Sequence, residues 1–142
     1  MDIEVIVLGC GSSSGTPAIG CGCPTCTSPH PKDRRTRASS VVRVNGLNLL
    51  IDTSPDLRQQ ALREGITQID AVLYTRPHAD HLNGIDDLRA FCYAKRGVIP
   101  LFGNALMMEN IRSRFGYTLL PPGTHWDKPV LEAHTVDRKS VV

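Results

Sequence analysis

Residues 3–8, IEVIVL, are β-branched and apolar around a single acid, and the run stops at Gly9; the pattern predicts a first β-strand. From Gly9 to about Pro31 the chain turns polar and rich in Gly, Ser, Cys and Pro. Connections of that length usually carry function or lack order. Two further β-prone runs, SSVVRV and LNLLID, flank Asn45-Gly46, a dipeptide that favours a tight hairpin turn. Ser54 followed by Pro55 suits an N-cap and first helical position, Leu57, Ala61 and Leu62 give an apolar stripe, and Gly65 a stop. DAVLYT (70–75) reads as another strand. From Leu82 to about Tyr93 the spacing predicts a helix with Ile85, Leu88 and Phe91/Cys92 inward. GVIPLFG gives a short strand, Asn104 caps a helix running to Phe115, and PPGTHWDKP leads to a last strand near VLEAH. Strands followed by βαβα alternation specify an α/β layered domain.

Composition narrows this only slightly. With 142 residues, 41% hydrophobic and 21% charged, the chain suits one globular domain. A net charge of +2 makes no case for nucleic acid or a membrane surface. The start, MDIEVIVLGCG, is acidic where a leader would be basic, and no apolar run approaches a membrane-spanning length, so a cytoplasmic location is expected. The final DRKSVV (Asp137–Val142) continues no preceding pattern; we read 1–136 as the domain and 137–142 as a non-native tail.

Chemistry concentrates in the two polar loops. Gly9-x-Gly11 after a strand invites a dinucleotide reading, but Pro17, Gly20 and Pro24 forbid the helix that would hold a pyrophosphate, and Thr16 stands where a phosphate-binding loop needs lysine. C-G-C-P-T-C is sharper: Cys21, Cys23 and Cys26 can all reach one tetrahedral Zn²⁺, the alternative being reduced cysteines in a tight turn. His30, between two prolines, is a poor fourth ligand. The basic run KDRRTR (32–37) could contact phosphate or hold neighbouring carbonyls and carboxylates. In the second loop, LYTRPHADHLNG (73–84), His78, Asp80 and His81 follow a strand end, where α/β folds place their sites. Imidazole and carboxylate suit zinc, manganese or iron.

The stretches LGCGSSSGTPAIGCGCPTC, KDRRTRASSVV, LLIDTSPDLRQQAL and DAVLYTRPHADHLNGIDDLR together resemble the N-terminal half of a metallo-β-lactamase-fold hydrolase, in the branch of phosphoribosyl cyclic phosphodiesterases. The resemblance runs to about Thr135 and implies an αβ/βα sandwich truncated to roughly its first half. It implies His78 in a first metal site, Asp80 and His81 in a second (Zn or Mn), with Asp80 also a proton acceptor. Cys21, Cys23 and Cys26 would hold a structural zinc, and Asp52 would order the loop from below through hydrogen bonds. Two metals around a hydroxide would act on a small phosphodiester. Arg76 stands where the family has its first motif histidine; a guanidinium has no lone pair to ligate, so little or no catalysis is expected. His125 and His134 fall too early in the pattern to serve as the later ligands and are read as loop or strand-end residues. The alternatives are a non-catalytic zinc-binding module or pseudoenzyme, and another branch such as a tRNA-processing nuclease or cofactor-biosynthesis hydrolase. A sheet lacking its second layer also implies a homo-oligomer.

Overall fold

The computed structural model describes residues 1–123 and 126–137. His125 and residues 138–142 of the expected tail lie outside them. Six strands, β1 (Ile3–Gly9), β2 (Ser39–Val44), β3 (Leu47–Ile51), β4 (Ala71–Leu73), β5 (Ile99–Gly103) and β6 (Leu131–Thr135), form one sheet in sequence order. The first three are antiparallel, and β3 to β6 run parallel. The β2–β3 hairpin turns through Asn45 (φ 51°) and Gly46 (φ 78°), the two positive angles that a tight turn matching strand twist requires.

Helices α1 (Leu57–Glu64), α2 (Ala79–Leu82), α3 (Leu88–Lys95) and α4 (Ala105–Phe115) fill the parallel crossovers. The cap of α1 is Asp56, two residues beyond the expected Ser54. Ser54 Oγ accepts from the Asp56 N–H in a turn, and the Asp56 carboxylate is drawn to Arg37 instead of capping the helix. Gly65 closes α1 at φ 64°, and Asn104 caps α4 by accepting from the Met107 N–H, both as the sequence indicates. Leu62, expected inward, is 66% exposed. The single helix expected over 82–93 is divided into α2, a 3₁₀ turn at Ile85–Asp87, and α3. The break follows from the Gly84 N–H, which donates to Thr53 O and pulls the chain onto the end of β3.

The sheet alternation sorts two faces. One row, Val41, Leu50, Val72 and Leu101, is wholly buried against Leu57, Leu88, Met108 and Ile111 of the helices. The opposite rows remain apolar without such a cover: on β1, Ile3, Val5 and Val7 are 57%, 59% and 58% exposed, and Val42 and Leu49 continue the row across β2 and β3. Apolar area of this extent drives association. Sedimentation velocity should show concentration-dependent self-association, and Val5→Lys should shift it to monomer without lowering the melting temperature; a monodisperse wild-type monomer would contradict this.

Candidate metal centre

The loop after β4 is anchored by one buried carboxylate. Asp52 follows β3 at φ 61°, a conformation that aspartate tolerates better than most residues, and is 4% exposed. Its Oδ1 accepts from the Thr75 N–H at 2.7 Å, and its Oδ2 from the Thr75 hydroxyl at 2.6 Å. His81 Nδ1 lies 2.7 Å from the same Oδ2. A carboxylate offers only acceptors, so Nδ1 donates to Asp52; Nε2 faces Asp80, whose Oδ2 is 3.2 Å away, and in the neutral ring, the form that binds a metal ion, it presents its lone pair there. That separation matches the edge of a tetrahedron with bonds of ~2.0 Å, about 3.3 Å, so this pair fits two ligands of one metal ion. His78 caps α2 in extended backbone (ψ 151°), and its side chain is exposed, as is that of Arg76. The loop thus brings Asp80 and His81 together and leaves His78 outside any group of three close ligand atoms among the described residues.

Residues that no local pattern signals complete the frame. Thr53 Oγ1 donates to Leu82 O at 3.0 Å and accepts from the buried Tyr74 hydroxyl at 2.8 Å. Burial raises the Tyr74 phenol far above its ordinary value, so it remains a donor. From α4, Arg114 donates to Pro77 O at 2.8 Å and to Asn83 Oδ1 at 2.6 Å, spanning the loop from outside.

The three cysteines of the first loop converge. Ligand atoms of Cys21, Cys23 and Cys26 all lie within 4.8 Å of one another, the only such group of three among the described residues. Zinc–sulfur bonds of about 2.3 Å give a tetrahedral edge of about 3.8 Å, which the triad needs only a small contraction to meet. Cys26 N–H donates to Cys23 Sγ and Ala18 N–H to Cys26 Sγ, each at 3.4 Å. The Cys26 N–H, with the Cys21 and Cys26 side chains, pushes the Cys23 thiol down to about 7. The Ala18 N–H works to lower the Cys26 thiol, but the Cys21 and Cys23 sulfurs and burial leave it raised overall. Such N–H···S contacts stabilise thiolates, the form that binds metal. His30 is occupied elsewhere: its Nδ1 accepts from the Lys32 N–H and caps a 3₁₀ turn at Pro31–Asp33. His134, in β6, stacks on Phe102 with centroids 5.0 Å apart and pairs with Glu132 at 2.8 Å.

A family model described as a beta-lactamase superfamily domain matches residues 47–142. A protein of Porphyromonas gingivalis named octanoyltransferase is 42% identical over 126 residues, 86% of this chain but 25% of that protein. The crystal structure of a diphosphatase from the PhnP family superposes with a TM-score of 0.85 at 41% identity, covering 96% of this chain and 51% of that one. Zn²⁺-bound PqqB from Methylobacterium extorquens gives 0.70 at 25% identity, covering 93% and 46%. The chain spans about half the length of these solved relatives.

Proposed function

The chain belongs to the metallo-β-lactamase superfamily, with about half of that fold present, and from that premise we propose that its 75–84 loop serves metal-dependent hydrolysis of a small phosphodiester. The observation that carries the reading is Asp52, which holds Thr75 and His81 together and turns His81 Nε2 toward Asp80. Asp80 and His81 would hold one metal, and His78 would contribute to a second. Bound metal would supply a water acidic enough to attack at neutral pH and would offset phosphate charge. The protein's own part is orientation: the Thr53, Tyr74 and Arg114 contacts fix the loop, and Asp80 is placed to accept the proton of an attacking water. Likeness to the PhnP-family diphosphatase supports a phosphorus–oxygen substrate. The octanoyltransferase name describes a chain of which the matched stretch is one quarter, so it does not carry across.

Arg76 weakens this site. Its guanidinium cannot ligate and brings a positive charge beside the position a first metal would occupy. A second reading, a zinc-binding module without catalysis, is favoured by one observation: among the described residues, only the cysteine triad gathers three close ligands.

Metal content per chain and hydrolysis of bis(p-nitrophenyl) phosphate separate the two readings. The wild type should carry about one zinc, lost in Cys23→Ser, with slow hydrolysis. Arg76→His should raise both the metal count and, at least about tenfold, the rate. If the histidine variant changes neither, the hydrolase reading fails and the module stands.

A further inference from the structure

An open cleft of about 610 Å³ lies between the loop after β1 and the start of α1, and four arginines line it: Arg34, Arg35, Arg37 and Arg63. Their charges are not equally compensated. Arg37 makes a two-pronged pair with Asp56, Nε to Oδ2 at 2.7 Å and Nη2 to Oδ1 at 3.0 Å. Arg63 pairs with Glu64 at 2.8 Å and also donates to Leu8 O. Among the described residues, Arg35 meets no carboxylate and donates to Lys32 O at 2.8 Å and Cys10 Sγ at 2.9 Å. Arg34 is exposed, and among the described residues its guanidinium has no hydrogen-bond or ion-pair partner. Among the described residues, the sole carboxylate lining the cleft is Asp56, already paired with Arg37. Two arginines without a carboxylate partner among the described residues therefore line an open polar hollow.

Their backbone is also held in place. Arg35 N–H donates to Thr16 O at 2.7 Å and Thr16 N–H to Arg35 O at 2.9 Å, tying the basic segment to the first loop, and Ser14 adds a hydroxyl to the wall. Guanidinium groups without a carboxylate partner suit the tetrahedral oxygens of a phosphate dianion, and a site this wide admits a phosphorylated small molecule. Asp56 stands four residues beyond Asp52 in the sequence, so the cleft wall lies within about 14 Å of the carboxylate that orders the 75–84 loop.

We propose that Arg34 and Arg35 form a binding site for a phosphomonoester dianion, separate from the loop of His78, Asp80 and His81. The dianion is either a second phosphate on the site's own substrate, a source that rests on the phosphodiester reading above, or belongs to a separate phosphorylated metabolite. Binding itself depends on neither.

The test is ³¹P NMR titration of inorganic phosphate into the protein as purified. Phosphate should bind in fast exchange, weaken at least about tenfold in Arg34→Ala/Arg35→Ala, weaken with added salt, and be unaffected in His78→Ala. Binding that survives the arginine changes and vanishes in His78→Ala would overturn the proposal while sparing the hydrolase reading; an absence of binding would also overturn it. Displacement then separates the sources. Adenosine 2′,3′-cyclic phosphate bearing a 5′-phosphate should displace phosphate in both cases. If it does so at far lower concentration than AMP, and His78→Ala abolishes that advantage, one substrate spans both sites; equal potency assigns a separate metabolite.

Discussion

Gly84→Ala should destabilise the protein by about 3 kcal/mol or more, since the added methyl makes the closest overlap of any glycine position described. A Cβ at Gly84 would sit 1.8 Å from Ser54 O, 2.7 Å from Ser54 C and 3.1 Å from Thr53 O. All three are backbone atoms, so no rotamer change can relieve the overlap. Either the 83–85 segment or the Thr53–Ser54 segment must move. Movement of either breaks the Gly84 N–H to Thr53 O bond and pulls on the Thr53 clamp that holds Leu82. The backbone angle itself is not the obstacle, since φ is −83°, open to any residue. Gly116→Ala is the matching control: at φ −56°, with nothing within 4 Å of the added Cβ, it should change stability by less than about 0.5 kcal/mol. Urea denaturation of both variants decides it. A loss under about 1 kcal/mol at Gly84 would mean that the contact between the loop and the end of β3 yields more easily than the packing implies.

How far the sequence alone could reach depended on whether the cause was local. The hairpin at Asn45-Gly46, the stop at Gly65 and the cap at Asn104 are decided within a few residues, and each stands where the pattern places it. Ser54 misleads because the competitor for Asp56 is Arg37, distant in sequence, and a local capping rule cannot see it. The break at Gly84 has the same origin: the apolar spacing of Ile85, Leu88 and Phe91 continues across it, while the force that bends the chain comes from Thr53. At the candidate site the histidines and aspartates were legible as a motif. The Thr53–Tyr74 bond and the Arg114 bridge were not, since a threonine, a tyrosine and an exposed arginine carry no signal before the fold assembles them. The apolar row Ile3, Val5 and Val7 carries no local sign of what covers it; the structure leaves it exposed, and the chain spans about half of its solved relatives.

Asp52 separates the stability of the site from its chemistry, and two substitutions should show it. Asp52→Ala removes every acceptor that holds Thr75 and His81 and places alanine at φ 61°, which costs about 1 kcal/mol by itself. With the charge-assisted hydrogen bonds gone, the total loss should reach about 3–4 kcal/mol. Asp52→Asn keeps the shape, tolerates the positive φ, and retains one oxygen for the Thr75 N–H, so about 1–2 kcal/mol is expected. Its amide nitrogen, however, is a donor facing His81 Nδ1. The ring must then carry its proton on Nε2, leaving no lone pair beside Asp80. In the Arg76→His background, Asp52→Asn should therefore lose the metal held by the 75–84 loop while keeping the cysteine-bound zinc and most of the fold. Nitrogen-15 spectra of the imidazoles report the tautomer, and metal content with urea melts reports the rest. Should Asp52→Asn leave His81 protonated at Nδ1 with its metal bound, the orientation of that ring comes from packing by its neighbours and not from the carboxylate beneath it.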